Sequence, residues 1–510
     1  MLQALARDIQ SGNTSAPIFS FPLDVLRDIF DVFIRCGGDE ARRHLMGVCR
    51  LFRCVVYKNQ GLWTDVTTFP QDTGHFMNVY LRSRWTGQPL EMRLDDLNRL
   101  GVERLPDNTL LATSFNSIAT LVIEHKLATV GVLRVLHRTR HFPLLKTLVL
   151  SSDAGIRGLT NALTDFARIF KFRLPTIHAK SLRVIRLRCV YMLLPETTSL
   201  TDVRLNARVP DDEPEALAQN KWPSRILRGL IRRNHNITVL HLVDAIKLES
   251  TRFGPLGPVL MPALQELVIC APSTAQPAWV LSTFDMPATT HIRIHVGHGA
   301  TEAFDMDPFF SALGHHVSKR DIRALVALPS FYLTGLLLSS ESRSSVPYWT
   351  NDPQLGSVSA SEVAHTVYAS ASGAVDIFFL WDGPGVDEVN WRNLFDGLTP
   401  YLEPGLIHSV EMNAEYEMES ADAFALFDDI WLPNVTELRL WPDEGMTLVE
   451  TLIKMCTGCH DDEFSARQLV ECLLSFFPVL TRIVDVDSGN SWEAESTVEL
   501  VEQIVASQNM

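Results

Sequence analysis

The chain has 510 residues, a formal net charge of −15 at pH 7, 46% hydrophobic and 21% charged residues. Such a composition is globular and excludes disorder over all but the two ends. The acidic balance argues against a coat for duplex DNA. Eight cysteines scattered over this length do not suggest a secreted disulfide framework.

Residues 1–18 read as an N-terminal extension. The opening MLQALARDIQSG carries Asp8 and has no long apolar core, so it is not a secretory signal peptide. The longest apolar run, ALVALPSFYLTGLLL, is interrupted by Pro329 and is too short to cross a bilayer. The expectation is a soluble intracellular protein, in cytoplasm or nucleus.

The stretch FPLDVLRDIF, Phe21 to Phe30, predicts a helix. Ser20 can cap it, and Pro22 fits the first turn, where its missing N–H costs nothing. Asp24 suits the positive end of the helix dipole. Leu26, Ile29, Phe30 and Phe33 follow at i, i+3, i+4 and i+7, which is one helical face. Gly37-Gly38 should end this helix. A second should start near Ala41, carrying Leu45, Val48, Cys49, Phe52, Val55 and Val56, and should bend near Arg50. GLWTDV then turns into a first strand.

From about residue 85 a second pattern takes over. Bursts of the form apolar-x-x-apolar-x-apolar recur as IATLVI, LKTLVL, LRVIRL, LTDVRL, ITVLHL, LQELVI and VTELRL, with looser copies in TTHIRI, AVDIFFL and LTRIVDV. Several follow an apolar–Pro pair: Phe142-Pro143, Met261-Pro262, Met286-Pro287, Leu432-Pro433 and Phe477-Pro478. Between them lie amphipathic helix candidates such as GVLRVLHRT, ALTDFARIF, RILRGLIRR, DPFFSALGHHV and ARQLVECLLSFF. Strand and helix alternating at an irregular interval of about 20 to 45 residues suggest a leucine-rich solenoid. A lone strand–helix unit cannot cover its own apolar face, so neighbours stack and share one core. The expected fold class is α/β: parallel strands on the concave side, helices on the convex side, over residues 70–500, with a C-terminal tail at 501–510. An ordinary α/β layer fold has the same alternation. Segments around 200–225 and 340–360 read as loops or insertions.

Charge is uneven along this region. Arginines crowd the stretch from Arg134 to Arg233, whereas from Asp376 onward the basic residues are Arg392, Arg439, Lys454, Arg467 and Arg482. In a solenoid the residues between the buried strand positions line the concave face. That places Arg186, Arg188, Arg204, His241, Glu266, Arg293, His295, Glu411, Arg439 and Trp441 there. Arg186, Arg188, Arg204, Arg293, Arg439 and Trp441 are the candidate target-binding residues, because guanidinium groups suit an acidic or phosphorylated peptide. Trp391 and Trp431 could also be anchors or core.

Signals for chemistry are sparse. CTGCH, with Cys456, Cys459 and His460, matches the C-x-x-C-H haem phrase and is otherwise a redox pair, a zinc site or two structural thiols. His315-His316 sits on a predicted helix and is expected at the surface. Asp485 and Asp487 alternate on a predicted strand and read as a solvated face. The phosphate-binding, dinucleotide-binding, zincin and nucleophile-elbow motifs are lacking. The expectation is therefore a protein that is not an enzyme and uses no cofactor or metal.

The segment FPLDVLRDIFDVFIRCGGDEARRHLMGVCRLFRCVVYKNQGLW, within residues 19–69, resembles an F-box. The family phrase is carried by Phe21-Pro22, Leu26, Ile29-Phe30, Leu45, Val48-Cys49-Arg50 and Leu62-Trp63. Phe21 stands where leucine is usual, Phe52 where tryptophan is common, and the Gly37-Gly38 loop is longer than the family's. The layout as a whole resembles the fungal F-box proteins with degenerate leucine-rich repeats. The resemblance implies a three-helix F-box that binds a Skp-type adaptor and, through it, a cullin. It implies a substrate-recognition role in a ubiquitin ligase, with Phe21, Pro22, Leu26, Ile29, Phe30, Leu45, Val48, Cys49 and Phe52 as adaptor-binding residues. The residues themselves support a narrower statement: so small a module cannot bury all of its large apolar side chains within itself. Alternatives are a non-ligase interaction scaffold, and a redox or haem protein using the CTGCH segment.

Overall fold

The computed structural model describes residues 21–58, 65–66, 90–94, 118–123, 141–151, 176–188, 190, 192–195, 197–207, 221–249, 257–297, 306–329, 333–340, 345–347, 366–368, 374–380, 397–413, 432–442, 446–457, 465–486 and 488–508. The chain divides into two compact units: residues 1–203 with 209–220, and residues 204–208 with 221–510. Both are mixed α/β with a mostly parallel sheet.

The first unit opens with two helices, α1 (Leu23–Val48) and α2 (Arg50–Lys58). The break expected at Gly37-Gly38 does not occur, and α1 runs through both glycines for 26 residues. Each interior glycine costs about 1 kcal/mol relative to alanine. Against this, Leu26, Phe30, Ile34, Ala41 and Leu45 form a buried stripe on both sides of the pair. Burying a large apolar side chain contributes about 1.5–3 kcal/mol, so an unbroken helix that keeps the stripe together wins. The chain bends at Cys49, whose backbone is extended at φ −159 and ψ 171. Cys49 then caps α2: Phe52 N–H donates to its Sγ at 3.4 Å and Arg53 N–H to its carbonyl at 3.1 Å. Residues 21–58 thus hold two helices rather than the first part of three short ones. Ser20 and Leu62-Trp63 lie outside the described residues.

The sheet of this unit is built from β1 (Asp65–Val66), β2 (Leu90–Leu94), β3 (Ile118–Ile123), β4 (Thr147–Ser151) and β5 (Val184–Arg188), each parallel to the next in chain order. Leu148, Leu150, Ile185 and Leu187 point to the core at every second position, as the alternation of a strand requires. The apolar–Pro pairs turn out to be strand-entry turns. Phe142 is buried while its carbonyl accepts from Leu145 N–H at 3.4 Å, and Met261, Pro287 and Phe477 accept in the same way from Leu264, Thr290 and Leu480. A residue before proline prefers extended backbone, so each pair ends the preceding segment and starts the turn. GVLRVLHRT and ALTDFARIF lie outside the described residues.

The second unit carries β7 (Val239–Val243), β8 (Glu266–Ala271), β9 (His291–Gly297), β10 (Ala324–Pro329), β11 (Leu333–Ser339), β12 (Val375–Leu380), β13 (Ser409–Asn413), β14 (Glu437–Trp441), β15 (Arg482–Asp485) and β16 (Ser491–Glu493). The further strand β6 (Asp202–Asn206) contains the point where the chain passes from one unit to the other. The order is β7-β8-β9-β12-β11-β10-β13-β14-β15-β16. A strictly sequential stack would seat β10 beside β9. Instead β10 and β11 pair antiparallel, as do β11 and β12, and β12 takes the place beside β9. Three residues separate β10 from β11, far too few for a parallel crossover, so the apolar run folds as a hairpin and reverses the local order. The segment around 340–360 contributes Ser345–Pro347, which pairs antiparallel with Thr366–Tyr368.

Among its described residues this unit also carries helices α3 (Ser224–Arg233), α4 (Ala275–Thr283), α5 (Met306–Val317), α6 (Leu448–Thr457), α7 (Ala466–Phe476) and α8 (Thr497–Gln508). Ser465 and Gln468 form a reciprocal capping box at the start of α7. The expected tail at 501–510 is instead largely the end of α8, where Leu500, Val501 and Ile504 are buried. Phe309 on α5 meets Phe379 on β12 edge to face, ring centroids 6.3 Å apart, which fixes the helix-facing side of that strand. Gly314 and Gly397 permit close approach nearby: a Cβ at Gly314 would overlap the Tyr401 ring, and one at Gly397 the Phe310 ring.

Candidate functional site

Two surfaces bear on function. On α1, the face predicted from Leu26, Ile29, Phe30 and Phe33 divides in two. Leu26 and Phe30 point inward with Ile34, and Phe30 meets Phe52 of α2 edge to face at 4.7 Å. Ile29 and Phe33 point outward with Val25 and Val32, at exposures of 41%, 47%, 36% and 63%. Positions 25, 29, 32 and 33 repeat at i, i+4, i+7 and i+8, so they form one stripe along the helix. Phe21 extends it at the amino end.

Of the nine residues expected to touch an adaptor, Leu26, Phe30, Leu45 and Phe52 are therefore internal to the helical pair. Phe21, Pro22, Ile29 and Val48 are exposed, and Cys49 is half-buried. Val25 and Val32 were missed by the sequence reading. The signal was present, since both fall on the same helical arc as Ile29, but valine at such spacing also reads as core.

The second surface is the sheet face turned away from α5. Beside Phe379, the residues Asp376 and Phe378 on β12 take this opposite face, in register with Arg293 and His295 of β9. His291 Nε2 donates to Asp376 Oδ2 at 2.7 Å, Arg293 Nε lies 3.7 Å from the same oxygen, and the His295 ring stacks on Phe378 at 4.8 Å. His241 Nε2 stands 3.4 Å from Glu266 Oε2, and the imidazole holds the Glu266 carboxyl below its ordinary value. Across the hairpin, Glu411 accepts from Arg439 Nε at 3.1 Å and from Trp441 Nε1 at 2.8 Å. Glu437 joins Arg439 at 3.3 Å and Arg482 at 3.1 Å.

The expectation of an open face fails for Glu411, which is 2% exposed, and for His241, which is buried. Asp376 and His291, which join them in this row of polar residues, are buried too. Val326 and Leu337, in the same row between the two acids, are also buried. Adjacent strands about 4.8 Å apart bring side chains of one row into contact. Arg293, Arg439, Trp441, Glu266 and His295 remain half-buried. In the first unit, Arg186 is exposed and paired with Asp202 at 2.8 Å, while Arg188 is half-buried. Arg204 is also half-buried. Of these arginines, Arg186, Arg293 and Arg439 each stand beside an acid: Asp202, Asp376 and Glu411 respectively.

Other sequence candidates separate. Cys456 is half-buried near the end of α6, and Cys459 and His460 lie outside the described residues. Trp391, Trp431 and Asp487 lie outside them as well. His315 is exposed, but His316 is fully buried rather than at the surface. Its Nε2 donates to Leu281 O at 2.9 Å, and burial pushes its pKa down to about 4. Among the described residues no group of three or more His, Cys, Asp or Glu is placed to hold a metal ion, and no helix is long and apolar enough to cross a membrane. The protein-family models give no match to this chain, and the curated proteins give none either.

Proposed function

We propose that this chain is the substrate-recognition subunit of a Skp-cullin-F-box ubiquitin ligase. The segment 19–69 acts as an F-box that holds a Skp-type adaptor, and the strand-rich remainder acts as an irregular leucine-rich-repeat solenoid that holds a protein target. The mechanism is proximity: with both partners held, ubiquitin transfer becomes effectively intramolecular, and the chain itself needs no catalytic group. The observation that carries the reading is the stripe Val25, Ile29, Val32 and Phe33, left in water by a helical pair whose own core is already closed. These four side chains are 36–63% exposed, so each adds on the order of half of the roughly 1.5–3 kcal/mol of full burial, and together they reach the lower end of an association cost of about 4–15 kcal/mol.

The test is capture of a purified Skp-type adaptor by the full chain. Ile29→Asp with Val32→Asp should abolish capture with the helix signal in circular dichroism unchanged. Leu26→Asp is the wrong variant, because Leu26 is internal and its loss would open the pair. Undiminished capture by the Ile29/Val32 variant, or none by the unaltered chain, would sink the reading. The unbroken α1 departs from the short-helix layout of the resemblance, and a non-ligase scaffold is the alternative. Adaptor capture without cullin co-purification would select that alternative.

A further inference from the structure

We draw no further inference here: the strongest candidate, the exposed apolar stripe of Val25, Ile29, Val32 and Phe33 along α1, belongs to the site already described, and nothing in the structure shows what covers it.

Discussion

The rings of Phe30 and Phe52 meet edge to face, with centroids 4.7 Å apart and planes inclined by 64°. This contact joins α1 to α2 and decides which apolar residues of α1 are spent on the pair. Phe52→Ala should cost about 3–5 kcal/mol of the stability of the helical pair. Val32→Ala, on the outer stripe, should change it by less than about 0.5 kcal/mol. Hydrogen exchange over residues 23–58 reads this unit separately from the rest of the chain, and equal protection loss in the two variants would contradict the assignment of faces.

Glu411 is the hub of the polar network on the far sheet face. Glu411→Ala leaves Arg439 beside a vacated, water-poor site and removes the acceptor for Trp441 Nε1. Removing one partner of a buried ion pair costs about 3–5 kcal/mol. The Trp441 environment should change with it, read by difference fluorescence against Trp441→Phe. Glu411→Gln keeps the acceptor for the indole and should lose less.

Acid should loosen α4 from α5 through His316. Its folded pKa, about 4, lies below the ordinary 6.5 because burial disfavours the imidazolium. The unfolded chain therefore binds the proton first. This contribution to stability is full above pH 6.5, declines as pH falls from about 6.5 to 4, and amounts to about 3 kcal/mol at most. Below that, Asp285 adds to the loss, since its hydrogen bond from Lys319 holds its carboxyl under the ordinary 3.8. His316→Gln can keep a donor for Leu281 O. It should flatten the thermal-stability profile between pH 6.5 and 4, and an unchanged slope would exclude His316 as its source.

Close approach at α5 gives a further check. Gly314→Ala would drive a methyl group into the Tyr401 ring, and Gly397→Ala one into Phe310. Overpacking of this kind costs about 1–3 kcal/mol. Gly47→Ala, with open space around its Cβ and a helical backbone, should instead stabilise α1 slightly, so the pair of outcomes in thermal unfolding distinguishes packing from glycine content.

Local patterning in the amino-acid sequence is enough to locate many of the strands and several helices. LKTLVL, LRVIRL, ITVLHL, LQELVI and VTELRL all contain strands, and RILRGLIRR, DPFFSALGHHV and ARQLVECLLSFF contain helices, because period-2 and period-3.6 patterns are properties of neighbouring residues. It also showed that the amino-terminal helix carries more apolar surface than it can use. Packing in three dimensions settles the rest: Leu26 and Phe30 close the pair while Ile29 and Phe33 face water, α1 runs through Gly37-Gly38, and β12 displaces β10 beside β9. It likewise decided that Glu411 and His241 are buried where alternation alone would have left them open. Each of these outcomes depends on which distant segment arrives alongside. A helix with apolar residues on two arcs does not say which arc meets its partner, and a strand does not say which strand it will sit beside.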